Sequence, residues 1–294
     1  MKLILSRKGF DSGAGGVPSP ILPDGRLLAL PIPDAASTIR YGDIAVDEGA
    51  LDTLVTPLTR GRIRADDGAH LDPDLIAGML PRAPGWRPLF GQSGQAQGHL
   101  RNQGVGPGDL FLFFGLFRRI ERHDGAWRWT PGSRPCHLLW GWLQVASVLP
   151  VDDARGEAYG WAHYHPHFRR DPDPNNVLYL ARQRLDLPGI DGSLPGAGIF
   201  TRHAPERQLS APDARRVSEW RLPAWCYPAP GRPPLSYHAN PQRWRQHPDH
   251  CELQAAARGQ EFVLDGDAYP EALPWAGELI GRGGHTDAPP EGGA

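Results

Sequence analysis

Apolar positions along the chain fall into short blocks divided by turn residues, and most blocks have the length and composition of strands. Leu3 to Leu5 forms the first, ending in the polar turn Ser6 to Ser12. Pro23-Asp24-Gly25-Arg26 separates Ile21-Leu22 from Leu27 to Leu30 and predicts a hairpin. Asp72-Pro73-Asp74, followed by Leu75, Ile76, Met79 and Leu80, predicts a short helix with an acid at its N-cap and proline at its first position. Residues 81–98, rich in glycine, glutamine and proline, read as a loop. The strongest strand signals are central. Gly106-Pro107-Gly108-Asp109 leads into the aromatic run Leu110 to Phe117, Arg122 to Gly125 is a turn, and Trp127 and Trp129 alternate with Arg128. His137 to Leu149 and Asn176 to Ala181 are two further buried-strand runs. Glu271 to Ile280 reads as the last helix, and 281–294, without apolar content, as a disordered tail. The fold class expected is β-rich α+β with few short helices, in a single unit over 1–280 with no internal repeat.

Composition narrows this further. Glycine and proline together make up 68 of 294 residues, about twice their ordinary share of roughly 12%. Long bundles, coiled coils and solenoids are thereby poor readings. No apolar run approaches the roughly 18–20 residues of a membrane span, and the segment after Lys2 is too short for a signal-peptide core, so a cytoplasmic location is expected. The 31 cations are balanced by 33 acids, for a net charge of −2, which argues against purely electrostatic nucleic-acid binding. Cys136, Cys226 and Cys251 lie far apart without C-x-x-C spacing, against a disulfide framework or an all-cysteine zinc site.

Only Lys2 and Lys8 are lysines; the remaining cations are arginine. A lysine retained in a polar turn beside Arg7, Asp11 and Ser12 offers a compact, tunable ammonium that arginine cannot replace, and the group fits a phosphate or carboxylate. His163, His165 and His167 alternate, which on a strand would place three imidazoles on one face as metal ligands. Pro166 disfavours a central strand there, and a surface histidine loop is the plainer reading. His99, Asn102 and Gln103 supply side chains suited to a base edge. Arg258, Gln260 and Glu261 form a charged turn before a strand, with Glu261 a general base if buried. Trp140 and Trp142, two of ten tryptophans, suit either the core or base stacking. Walker A, G-x-G-x-x-G, H-E-x-x-H and G-x-S-x-G patterns are missing from the sequence.

Lys2 to Ser12, Pro18 to Gly25, Leu30 to Pro33, Gly108 to Gly115, Gly141 to Val145 and Arg258 to Asp265 together resemble the nucleotide modification associated domain family of the third type. The resemblance spans about residues 1 to 280. It implies participation in nucleotide or DNA-base modification without assigning a reaction or cofactor. It supports sites at Lys8, Asp11, His99, Asn102, Gln103, Arg258 and Glu261. Residues 99–181 are also similar in layout to PUA-type barrels, including the ASCH and EVE relatives, which bind RNA or modified bases in aromatic pockets. The expected function is therefore modification of a nucleotide or nucleic-acid base. Lys8, Asp11 and Glu261 are the catalytic candidates; Arg7, Ser12, His99, Asn102, Gln103, Trp140, Trp142, Arg258 and Gln260 are candidates for substrate binding. Two alternatives stand beside it: a non-catalytic reader using Trp140 and Trp142, and a metal-dependent enzyme using His163, His165 and His167. The expected partner is a nucleotide, DNA or RNA, with no membrane.

Overall fold

A computed structural model describes residues 1–285 except Asp191 and Arg258. Its centre is a ten-stranded mixed sheet. The strands used below are β1 (Lys2–Arg7), β2 (Ser19–Ile21), β3 (Leu89–Gln92), β4 (Leu110–His123), β5 (Ala126–Trp129), β6 (Cys136–Pro150), β7 (Val177–Ala181) and β8 (Ala197–Phe200). In a separate three-stranded sheet are β9 (Glu219–Pro223), β10 (Trp244–Gln246) and β11 (His250–Gln254), and β12 (Glu261–Asp265) returns to the main sheet. The main path runs β12-β1-β4-β6-β7-β3. The described residues include three α-helices, in chain order α1 (Asp52–Leu58), α2 (Gly94–Asn102) and α3 (Ala272–Gly283).

The long apolar runs expected to be strands are strands, because their side chains are buried on both faces of the sheet. Leu3, Leu5, Leu112, Phe114 and Phe262 pack on one side, against α3 and the smaller sheet. Ile4, Phe111, Phe113, Leu138 and Leu143 pack on the other. The sheet curls strongly. Phe90 on β3 lies 5.2 Å from Phe111 and 5.3 Å from Phe113 on β4, ring centre to ring centre, although β6 and β7 separate the two strands in the sheet. Register shifts at Leu139/Gly141 and Val145/Ser147 on β6 supply local bends.

The curled sheet does not close among the described residues. Its end strands β3 and β12 share no backbone ladder, and a side-chain hydrogen bond joins them instead, from Gln92 Nε2 to Glu261 Oε1 at 2.6 Å. The small PUA-like barrel expected at about 99–181 is seen only as part of a larger curled sheet. β4, β6 and β7 do belong to one sheet, but that sheet recruits β1 and β12 from either side of the central segment.

Other local expectations also change. Ile21 and Leu27 form a single bridge across the Pro23 turn, while β2 pairs parallel to β4 and Leu27 N–H donates to Thr201 O. The helix expected after Asp72 is reduced to a 3-10 turn, Ala77–Met79. Asp74 instead bridges Leu89 and accepts two hydrogen bonds from Arg82. Residues 81–98 contain β3 and the start of α2. Helix α3 runs past Ile280 to Gly283, and Gly284–His285 pairs with β8; the rest of the expected tail, 286–294, lies outside the described residues. The three cysteines are free thiols.

Candidate functional site

Strand register creates the site. Ser6 pairs with Glu261 across β1 and β12, so Lys8, two residues beyond Ser6, lies diagonal to Glu261 on the same face. Lys8 Nζ donates to Glu261 Oε1 at 2.7 Å, with the two side chains only 10% and 1% exposed. Gln92 Oε1 accepts the Ser93 N–H, which orients the Gln92 amide so that Nε2 faces the same Glu261 oxygen. Lys8 Nζ also stands 4.7 Å above the Phe90 ring, a cation–π contact. Glu261 Oε2 is buried with no hydrogen-bond partner among the described residues.

This pair opens on a polar cavity of about 620 Å³. A second group of charged and imidazole side chains lines the same space: His70, Asp72 and His167. The Asp72 side chain is 5% exposed and those of His70, His165 and His167 at most 7%. Asp72 Oδ1 accepts the Gly91 N–H at 2.8 Å. Asp72 Oδ2 stands 3.5 Å from His167 Nε2 and 3.7 Å from His70 Nε2, and Oδ1 stands 3.4 Å from His165 Nε2. Burial pushes the Asp72 carboxyl up, but the imidazoles of His165, His167 and His70 outweigh it and hold the group well below the usual carboxylate range. Burial also acts against the charged form of His70, yet Asp34 and Asp72 raise it overall. Burial lowers His167 despite Asp72 beside it.

Gly91 is required where the two groups meet. A Cβ there would lie 2.5 Å from His167 Cδ2, inside contact distance. Gly91→Ala is expected to displace the His167 ring and to destabilise the protein by about 1–3 kcal/mol, the usual cost of overpacking. A thermal melt checks this, and an unchanged melting temperature counts against the packing described.

The structure gathers some sequence-derived candidates and disperses others. Lys8, Arg7, Asp11, Gln260 and Glu261 all line the cavity. Arg7 Nη2 donates to Gly259 O at 2.9 Å and Ala257 O at 3.2 Å, so its guanidinium braces the loop before β12. Asp11 Oδ1 accepts the N–H groups of Gly13 and Ala14 and closes its own turn. Ser12 is exposed and outside the lining. His99 lies behind the rim, with Nε2 3.0 Å from Ser236 Oγ and its ring 4.4 Å from that of Tyr237. Asn102 and Gln103 are exposed at the far end of α2, and neither lines the cavity. Arg258 lies outside the described residues.

The tryptophan and histidine expectations need correction. Trp142 is fully buried against Phe200 and donates to Pro195 O, and Trp140, 7% exposed, stacks on Phe113. Trp142 has no free face for a base, and Trp140 borders only a small apolar pocket of about 40 Å³. His163, His165 and His167 do not share a strand face, because Glu157–Ala162 and Pro166–Arg169 are 3-10 turns. His163 turns away onto Phe168 and Ala154 O, while His165 and His167 converge on Asp72.

His70, Asp72, Gln92, Arg170 and Tyr237 escaped the sequence reading. The available signal was the His70-x-Asp72 alternation, obscured because Asp72 resembles an N-cap. Tyr237 is the large apolar or aromatic side chain left open among the described residues, 50% exposed at the cavity wall. Its φ of 68° is a backbone conformation that aromatic residues rarely hold.

Fold and cavity together define a β-rich α+β protein with a polar cavity built where residues 7–11 and 259–261 meet a buried His/Asp cluster. The chain belongs to the nucleotide modification associated domain 3 family, whose model matches residues 2–265. No curated protein and no solved structure matches it. Among the described residues, no helix is long and apolar enough to cross a membrane.

Proposed function

We propose that the protein modifies a nucleotide or a nucleic-acid base within this cavity. The observation that carries the reading is Glu261: a buried carboxylate with one oxygen fixed by Lys8 and Gln92 and the other, Oε2, without a hydrogen-bond partner among the described residues. Such a carboxylate is suited to take a proton from a base or an attacking group, and Lys8 holds it in place. Arg170 and Arg7 in the cavity wall provide positive charge for a phosphate. Tyr237, at the open side, provides the stacking face that Trp140 and Trp142 do not. The curled sheet serves, in this reading, as a PUA-like platform whose polar rim receives the base.

Mass spectrometry of nucleosides from DNA and tRNA tests the proposal, comparing a host that carries the gene, one that lacks it, and one complemented with Glu261→Gln. A modified nucleoside that disappears without the gene and is not restored by Glu261→Gln is the expected result. Identical profiles in all three would overturn catalysis and favour a reader that binds a modified base through Tyr237. Tyr237→Ala is expected to weaken nucleotide binding about 10–100-fold, the usual range for one lost stacking contact, with no change in melting temperature. Titration calorimetry with the nucleotide checks it.

A further inference from the structure

We infer that His70, Asp72 and His167 form a binding site for one divalent first-row transition-metal ion. The inference is independent of the reaction proposed above, since an ion can bind there whatever the substrate.

Hydrogen bonding around the two histidines fixes which ring nitrogen faces inward. Asn176 Nδ2 donates to His167 O at 2.9 Å, so Asn176 Oδ1 is the atom that faces His167 Nδ1, at 2.6 Å. An amide oxygen only accepts, so Nδ1 carries the proton and the neutral ring turns a bare Nε2 lone pair toward Asp72 Oδ2. Asp34 Oδ2 does the same for His70, lying 2.7 Å from its Nδ1 and leaving Nε2 directed at the same Asp72 oxygen. Two imidazole nitrogens and a carboxylate oxygen thus converge, all within 4.8 Å of one another. Their separations from Asp72 Oδ2, 3.5 and 3.7 Å, are too long for hydrogen bonds. They approach the roughly 3.0–3.4 Å between donors that each lie about 2.1 Å from one ion.

The outer contacts are those of a metal centre. Asp34-His70 and Asn176-His167 are carboxylate-imidazole and amide-imidazole supports that set tautomer and ring orientation. Asp72 is steadied on its other oxygen by Gly91 N–H, and His165, fully buried, directs a Nε2 without a hydrogen-bond partner at that same oxygen. Two imidazoles and one carboxylate select a borderline transition ion over magnesium or calcium. All three ligands line the cavity that Lys8 and Glu261 also line, so the remaining coordination positions open to that space.

Full-length protein stripped with chelator and titrated with Zn(II) or Co(II) provides the test, read by elemental analysis and by the visible bands of bound Co(II). One ion per chain is expected, with no comparable binding of Mg(II). His70→Gln and His167→Gln are each expected to abolish it. Asp34→Asn, which touches no ion and keeps a polar partner for His70, is expected to weaken affinity about 10–100-fold. It keeps the test valid if either histidine variant fails to fold. The more exposed His247, His250 and Glu252 form a second group with ligand spacing, so His247→Ala serves as the control and is expected to leave one bound ion. An absence of stoichiometric binding would overturn the inference. So would an ion retained by His70→Gln and His167→Gln but lost in His247→Ala.

Discussion

Lys8→Ala is expected to destabilise the protein by about 3–5 kcal/mol, the usual cost of stripping one partner from a buried ion pair. Glu261 is 1% exposed, and its remaining hydrogen-bond donor is the neutral amide of Gln92. An uncompensated charge would then sit on a side chain almost wholly removed from solvent. Replacing both partners removes that penalty. Lys8→Met combined with Glu261→Gln preserves volume and leaves no charge unpaired, so it is expected to recover most of the lost stability while remaining inactive. Urea unfolding of the parent, the single variant and the double variant separates the effects. Recovery of stability without activity means that the pair is retained for chemistry. A double variant as unstable as Lys8→Ala would make the pair a structural element of the β1-β12 edge.

Acidification is expected to unfold the protein between pH 6.5 and 4, for a reason separate from the His/Asp cluster. Trp220 Nε1–H donates to His137 Nδ1 at 2.9 Å, which commits that nitrogen to accepting. His238 is fixed in the same way, donating from Nδ1 to Ser236 O at 2.7 Å and accepting Ala256 N–H at Nε2. Burial, with Arg7 nearby, pushes His137 down to about 4, and burial pushes His238 down to about 4 against its hydrogen bond to Ser236. In the unfolded chain both titrate near 6.5. The unfolded state therefore binds protons first as pH falls, and stability present above 6.5 is lost progressively toward 4. At about 1.4 kcal/mol per pH unit, each histidine contributes a loss of order 2–3 kcal/mol. His70 has the opposite sign. Its folded pKa is raised, so its contribution is complete below 6.5 and declines as pH rises through the raised value. Urea midpoints measured from pH 8 to 4.5 check the prediction, and a flat profile would overturn it.

Much of the sheet was legible because its strands are apolar, aromatic and bounded by glycine turns. Leu110 to Phe117, His137 to Val145 and Asn176 to Ala181 are largely buried on both faces, and their composition says so. β3 and α2 were not legible. Leu89–Gln92 has four residues, and α2 buries only Gln97 and Leu100, so neither shows a period against its glycine- and glutamine-rich surroundings. Half of the site followed from the scarcity of lysine, which drew attention to Lys8, and from the charged turn holding Glu261. The His/Asp cluster did not. Asp72-Pro73 has the sequence of a helix start, but its carboxylate is taken by Gly91, a backbone group on another strand. Local chemistry in the sequence cannot anticipate a partner brought in by sheet curvature. The tryptophans misled for a related reason: a ring that fills the core has the same sequence signature as one that stacks on a ligand.

The position of β1 between β4 and β12 has a consequence for how the protein is made. The strand of residues 2–7 leaves the ribosome more than 250 residues before its neighbour at 261–265. At roughly 5–20 residues per second, tens of seconds separate the emergence of Lys8 from that of Glu261. Throughout that interval one edge of β1 has no partner, and it is apolar on both faces, the kind of segment that invites aggregation or chaperone binding. The Lys8–Glu261 ion pair is correspondingly a late product of folding, so a ribosome that stalls before Glu261 releases a chain in which Lys8 has no carboxylate partner.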